Sequence, residues 1–216
     1  MKLVWSADTA SKAYIDTVKS CQNFKESGLA ELLSAMAAGW NSKLIVESWS
    51  YGGPIATSVG LAIAAHHTCG RHMCIVPDEW SRSGYVKAMH AAGIASTVVI
   101  VGEAEEVMEG LAGVDFLVVD SKRKDFARVI RFAKLNHKGA VLACKNACHK
   151  GFSGFRWHEV LQRGTRVVRS VLLPVGQGVD IAHIGAQGGG VGSKKSPSRW
   201  IKYTDQQSGE EHVFRD

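Results

Sequence analysis

Between residues 44 and 144, short apolar runs alternate with amphipathic ones, and this rhythm constrains the fold more than any other feature of the chain. Residues 44–46, 72–76, 97–101, 114–120 and 139–144 have strand length and are rich in Val, Ile and Leu. Helical patterns lie between them. Pro54 opens one, with Ile55, Val59, Ala62, Ile63 and His66 on one face, and a second runs to Ala92, where Gly93 stops it. A short one places Ala104, Val107, Met108 and Leu111 together, and another turns Phe126, Val129, Ile130 and Ala133 inward. Such alternation predicts a parallel, doubly wound sheet, because each parallel strand must be reached by a crossover. Residues 114–120 are nearly all apolar, as a strand covered on both faces should be. The rhythm breaks at the end. Residues 165–173 and 179–184 are linked only by Pro-Val-Gly-Gln-Gly at 174–178, which is too short for a helix and predicts an antiparallel hairpin.

Residues 8–23 and 26–39 read as two preceding helices, the second with a stripe of Leu29, Leu32, Leu33, Met36 and Ala37 that ends at Gly39. Residues 1–186 are therefore expected to form one α/β domain, followed by a Gly-rich linker and basic tail over 187–216. Aromatic residues in 198–203 and 210–215 suggest that this end docks on something, and the rest of the tail is open to disorder.

At 216 residues with 45% hydrophobic and 21% charged residues, the composition is that of an ordinary globular domain. No apolar run is long enough to span a bilayer, and the N-terminus lacks a signal-peptide core, which predicts a cytoplasmic protein without a membrane partner. Five cysteines form no CxxC pair and are expected to be reduced. The net charge of +6 permits an anionic partner. The basic residues of 122–138 and 194–202 are not interleaved with aromatics, however, and this weighs against nucleic acid.

The richest stretch for chemistry is residues 43–54. A strand meets an acid, Glu47, then a turn with Gly52 and Gly53, then a helix opened by Pro54. Open α/β sheets bind nucleotide-like ligands at such a place, in the crevice beyond the strand ends, where a helix N-terminus offers free N–H groups. Trp49, Tyr51 and Trp80 would lie near the same strand ends and form an aromatic wall for a flat or cationic ligand. His66 and His67 with Cys69 resemble a metal cluster only superficially, since the two histidines fall on different helix faces.

The segment Val-Asp-Phe-Leu-Val-Val-Asp-Ser-Lys-Arg-Lys-Asp-Phe at 114–126 resembles the fourth strand and turn of S-adenosylmethionine-dependent O-methyltransferases of the caffeoyl-CoA and catechol type. The 173–179 turn, Leu-Pro-Val-Gly-Gln-Gly-Val, is similar to their final hairpin, and Gly-Glu-Ala-Glu-Glu at 102–106 to their third-strand exit. The whole chain resembles more closely still a plant methyltransferase-like group classed as a domain of unknown function. These resemblances imply a Rossmann-like methyltransferase fold, a seven-stranded, mostly parallel sheet closed by an antiparallel C-terminal hairpin.

For the site, the resemblance implies S-adenosylmethionine at Glu47, Tyr51, Gly52, Gly53, Asp78, Glu79, Glu103 and Ala104. Glu47 would meet the methionine end and Asp78 or Glu79 the ribose, although Pro77 displaces both acids. Trp49 stands where those enzymes have a close-approach glycine, so its indole would occupy that space unless the loop is rerouted. Their metal site maps onto Asp120 and Asn146, but Lys145 replaces the second acid, and no metal is expected because hard cations want anionic oxygen ligands. Arg123 replaces their general-base lysine and cannot serve as a base. Lys145 is expected to place its ammonium where the metal would be, in a structural ion pair with Asp120, engaging an anionic or carbonyl group, or acting as a base.

Three functional expectations follow. One is metal-independent methylation of a small plant metabolite by S-adenosylmethionine. Another is cyclisation or isomerisation in the same crevice, with Lys145, Asp120 and His149 as catalytic groups and Trp49, Trp80 and Asn146 binding substrate. The third is a pseudoenzyme that holds protein or RNA through its basic segments. A homodimer is compatible with all three.

Overall fold

The computed structural model describes residues 5–24, 28–148, 154–186, 200–204 and 211–215. In chain order the elements are α1 (Ala7–Ser20), α2 (Leu29–Gly39), β1 (Leu44–Ser48), α3 (Ala56–His67), β2 (Arg71–Val76), α4 (Glu79–Ala91), β3 (Val98–Val101), α5 (Ala104–Gly110) and β4 (Ala112–Val114). Then follow β5 (Phe116–Asp120), α6 (Phe126–Phe132), β6 (Lys134–Leu135), β7 (Ala140–Lys145), α7 (Trp157–Val160), β8 (Val167–Leu173), β9 (Val179–Ile184), β10 (Trp200–Thr204) and β11 (Glu211–Arg215).

A seven-stranded sheet in the order β3-β2-β1-β5-β7-β9-β8 forms the centre. Strands β3, β2, β1, β5 and β7 are mutually parallel, and β9 runs antiparallel to both of its neighbours. The expected doubly wound sheet with its closing hairpin is therefore present. Alternation along the strands divides the core. Ile45, Val118, Val141 and Ala143 face helices α1 to α4, where they meet Ala13, Leu33, Val59 and Tyr85. Val46, Leu117, Val119 and Leu142 face the other way and meet Met108 of α5, Val129 of α6 and Trp157 of α7. Both faces of the central strands are covered, which accounts for their continuous apolar sequences.

Some boundaries differ from expectation. The strand expected over 114–120 is broken at Asp115. Its carboxylate accepts the backbone N–H groups of Lys43 and Leu44 at 2.8 and 2.9 Å and the Asn136 amide at 2.7 Å. β4, before the break, pairs instead with β6 in a separate two-stranded sheet. The helix expected from Pro54 begins at Ala56. Near the C-terminus, β10 and β11 pair with each other as an antiparallel hairpin, Trp200 opposite Arg215. The linker expected over 188–197 lies outside the described residues. Among the described residues no helix is long and apolar enough to cross a membrane.

Candidate functional site

A cleft of about 570 Å³ opens at the carboxyl ends of β1, β5 and β7. The 50–54 turn and Thr57 of α3 form one wall, Asp120, Lys122, Lys145 and Asn146 the floor, and Leu29 with the Gly176–Gln177 hairpin turn the other side. Strand register determines which side chains reach it. Glu47 is level with Val118, and Val118 with Ala143, whereas Asp120 is level with Lys145. In a parallel sheet, residues two apart share a face. Glu47 therefore lies on the same face as Asp120 and Lys145 but one pleat below them.

That pleat seals Glu47. Only 1% of the residue is exposed, and it is absent from the cleft lining. The Tyr85 hydroxyl of α4 donates to its Oε1 at 2.7 Å. His72 Nε2 of β2 stands 3.2 Å from the same oxygen, off the hydrogen-bond direction, while Oε2 has no hydrogen-bond partner. Burial pushes the carboxyl up, but His72, the Lys145 charge and the Ser58 hydroxyl outweigh it and hold Glu47 below the usual carboxylate range. The same burial and the adjacent carboxylate push the Tyr85 phenol well up, so Tyr85 is a fixed donor.

Trp49 turns inward too, contrary to its expected place in a substrate wall. It is 5% exposed, donates through Nε1 to the Pro54 carbonyl at 3.2 Å, and meets the Tyr85 ring edge-on with centroids 5.3 Å apart. The Arg123 guanidinium donates to the Trp49 carbonyl at 2.5 Å and grips Asp125 with two bonds, at 2.8 and 2.5 Å. Burial opposes the Asp125 charge, but Arg123 more than compensates and lowers its pKa. Arg123 is thus a clasp between the exits of β5 and β1. Tyr51 packs over Gly84 of α4, where an added Cβ would fall 2.8 Å from its ring, and lies 5.4 Å from the exposed Trp80 ring. Of the three expected wall aromatics, only Tyr51 lines the cleft.

The β5–β7 side is different. Asp120 and Lys145 are register partners, yet no ion pair joins them within 4.0 Å among the described residues. Asp120 caps its own turn instead. Its Oδ1 accepts the Asn146 amide at 2.7 Å and the Lys122 N–H at 2.9 Å, while no hydrogen bond falls on Oδ2 among the described residues. The Lys122 ammonium donates to Gln177 Oε1 at 2.7 Å and ties the floor to the hairpin. Lys145 is only 3% exposed, lines the cleft, and has no hydrogen-bond or ion-pair partner for its ammonium among the described residues. Thr57, 1% exposed, also lines the cleft, and its Oγ1 is buried without a hydrogen-bond partner.

S-adenosylmethionine, which the fold implies, meets a divided set of residues. Tyr51, Gly52 and Gly53 line the cleft. Glu47 is sealed below it. Asp78 is the N-cap of α4, its Oδ1 accepting the Ser81 N–H at 2.6 Å, and that bond lowers its pKa. Glu79 is exposed beside Arg82, and Glu103 and Ala104 stand at the start of α5. These acids do not converge on the cleft, so the residues present do not fit the cofactor in the inherited arrangement. A divalent cation fares no better, because Asp120 Oδ1 is taken by the Asn146 amide and the third residue of the inherited set is the cationic Lys145. Of the expected catalytic residues, Asp120 and Lys145 are brought together, and His149 lies outside the described residues. Tyr85, Thr57 and Gln177 were not expected. Gln177 sits in the hairpin turn that carried the resemblance, but nothing in the sequence marks Tyr85 as the partner of Glu47.

Crystal structures of methyltransferases share the fold. A methyltransferase from Geobacter sulfurreducens is 21% identical, with 83% of this chain and 90% of that chain covered and a TM-score of 0.58. The O-methyltransferase TomG from Streptomyces achromogenes, involved in tomaymycin synthesis and solved with S-adenosylmethionine, is 22% identical over 81% and 90% of the two chains, with a TM-score of 0.57. An O-methyltransferase from Bacillus cereus, solved with S-adenosylhomocysteine, is 15% identical over 84% and 93%, with a TM-score of 0.57. At these identities the likeness establishes the Rossmann-like methyltransferase fold. No curated relative matches the chain. Residues 1–216 match the family described as protein of unknown function (DUF1442), and the chain belongs to that family.

Proposed function

We propose that this protein is a small-molecule enzyme on a methyltransferase fold, and that its own side chains in the Tyr51–Lys145 cleft do the chemistry, without a metal. The observation that carries this reading is the Lys145 ammonium, which opens on the cleft beside Asp120 from a residue only 3% exposed and has no direct partner among the described residues. Leaving a buried charge without a partner is costly, and a ligand that supplies the partner recovers that cost on binding. Lys145 engages an anionic or carbonyl oxygen of the substrate and stabilises charge that develops there. Asp120 Oδ2 accepts a proton from the neighbouring carbon and returns it elsewhere on the same molecule. An isomerisation or ring closure of a metabolite needs no more than this, since it is redox-neutral and takes no co-substrate.

A second reading is methylation of a small molecule by S-adenosylmethionine, metal-independent and working by proximity. It is favoured by the fold, by relatives solved with this cofactor or its product, and by the Tyr51-Gly52-Gly53 turn at the cleft. Calorimetric titration with S-adenosylmethionine and S-adenosylhomocysteine separates the two. No heat of binding up to millimolar ligand is expected, and saturable micromolar binding would replace the first reading with the second.

A further inference from the structure

The cleft also indicates which substrate group Lys145 receives. Among the described residues three cations lie at or beside its floor, and two are occupied: Lys122 by Gln177, Arg123 by Asp125 and the Trp49 carbonyl. Lys145 alone of the three has no partner among the described residues. Facing it across the cleft is the start of α3, a 12-residue helix whose N-cap, Ile55, makes no side-chain capping bond. The first N–H groups of any helix lack partners within it and favour negative charge. Thr57, in that first turn, adds its buried and unpartnered Oγ1. An ammonium, a free helix start and an orphaned hydroxyl in one cleft are the complement of an anion.

From this convergence we infer that the cleft is a carboxylate-binding site, and that the substrate is a small organic acid held by Lys145, Thr57 and the N-terminus of α3. The charge of the floor selects a carboxylate over phosphate. Lys122 and Lys145 are balanced in part by Asp120, which also lines the cleft. The net single positive charge is neutralised by a monoanion, whereas a phosphate dianion costs more to desolvate and leaves one of its charges unbalanced in the cleft. The inference rests on the cleft being the functional site, as in the preceding reading. It does not depend on whether a methyl donor also binds.

Benzoate, benzamide and inorganic phosphate serve as probes, titrated calorimetrically into the full-length protein, its Lys145→Met variant and its Thr57→Val variant. Benzamide keeps the ring and removes the charge. Benzoate is expected to bind saturably, with benzamide and phosphate at least about tenfold weaker, because charge-assisted hydrogen bonds are the stronger class. Lys145→Met should weaken benzoate about tenfold or more and leave benzamide unchanged, and Thr57→Val should weaken benzoate by a smaller factor. Circular dichroism confirms that each variant is folded, and Thr57→Val carries the test alone if Lys145→Met is not. Equal binding of benzoate and benzamide, stronger binding of phosphate, no binding of benzoate, or unchanged benzoate affinity in the folded variants would overturn the assignment. S-adenosylmethionine binding alongside Lys145-dependent benzoate binding would remove the preceding reading and leave this one standing.

Discussion

The two halves of the sheet's carboxyl edge resolve the same problem in opposite ways. At β1 and β2 the polar groups are turned inward: Glu47 takes the Tyr85 hydroxyl and the nearby His72, and Trp49 fills the space above them beneath the Arg123 clasp. At β5 and β7 the polar groups are left open, with Lys145 and one oxygen of Asp120 facing a cleft without partners among the described residues. In an open α/β sheet the ligand is expected beyond the strand ends at the point where strand order reverses. Here that edge is open to a cleft on one side only. The strand-one acid, which the sequence presents as a ligand contact, has become part of the core.

Substitutions that separate stability from binding sharpen this contrast. The largest effect is expected at Trp49. Trp49→Ala should cost about 3–5 kcal/mol of stability in denaturant unfolding, as loss of a large buried aromatic generally does. A cost below about 1 kcal/mol would mean that the indole is not a core element. Glu47→Gln should cost about 2–3 kcal/mol at neutral pH, since it weakens a buried charge-assisted bond and removes the counter-charge of Lys145. Its pH dependence has a definite sign. The folded pKa of Glu47 lies below its ordinary value, so its stabilisation is present above the ordinary carboxylate range and is lost as pH falls through the lowered value. The gap between wild type and Glu47→Gln should therefore close below about pH 4. A gap independent of pH would contradict an ionised Glu47.

Arg123→Lys should cost about 1–2 kcal/mol, because an ammonium cannot reproduce the two-pronged grip on Asp125 together with the bond to the Trp49 carbonyl. The smallest stability effect is expected at Lys145. Lys145→Met should change unfolding free energy by less than about 1 kcal/mol, because removing a charge that lacks a direct partner offsets the loss of its attraction to Glu47. A loss as large as that of Glu47→Gln would make Lys145 a structural residue.

Much of the fold was legible in the sequence, because each strand had to be apolar enough to be covered on both faces and each crossover had to carry a helical stripe. The break at Asp115 was not, since it depends on a carboxylate reaching the backbone of Lys43 and Leu44, far away in sequence. The floor of the site, Asp120, Lys145 and Asn146, was implied by the resemblance to O-methyltransferases, whose metal site maps onto these strand ends. The sealing of Glu47 could not. It follows from strand register and from Tyr85 reaching across from α4, and neither leaves a local pattern. Trp49 was legible as an obstacle but not in its direction, which the Tyr85 ring and the Pro54 carbonyl decide.

The most direct test of an edge that is closed on one side and open on the other is a map of amide shifts in uniformly labelled protein titrated with benzoate. The predicted shifts fall on residues 50–57, 120–122, 145–146 and 176–177, with those of Glu47, His72, Asp78 and Tyr85 unchanged. Saturable shifts centred on Glu47, His72 and Asp78, with the β5–β7 side silent, would show that the working site lies on the half whose polar groups are sealed into the core.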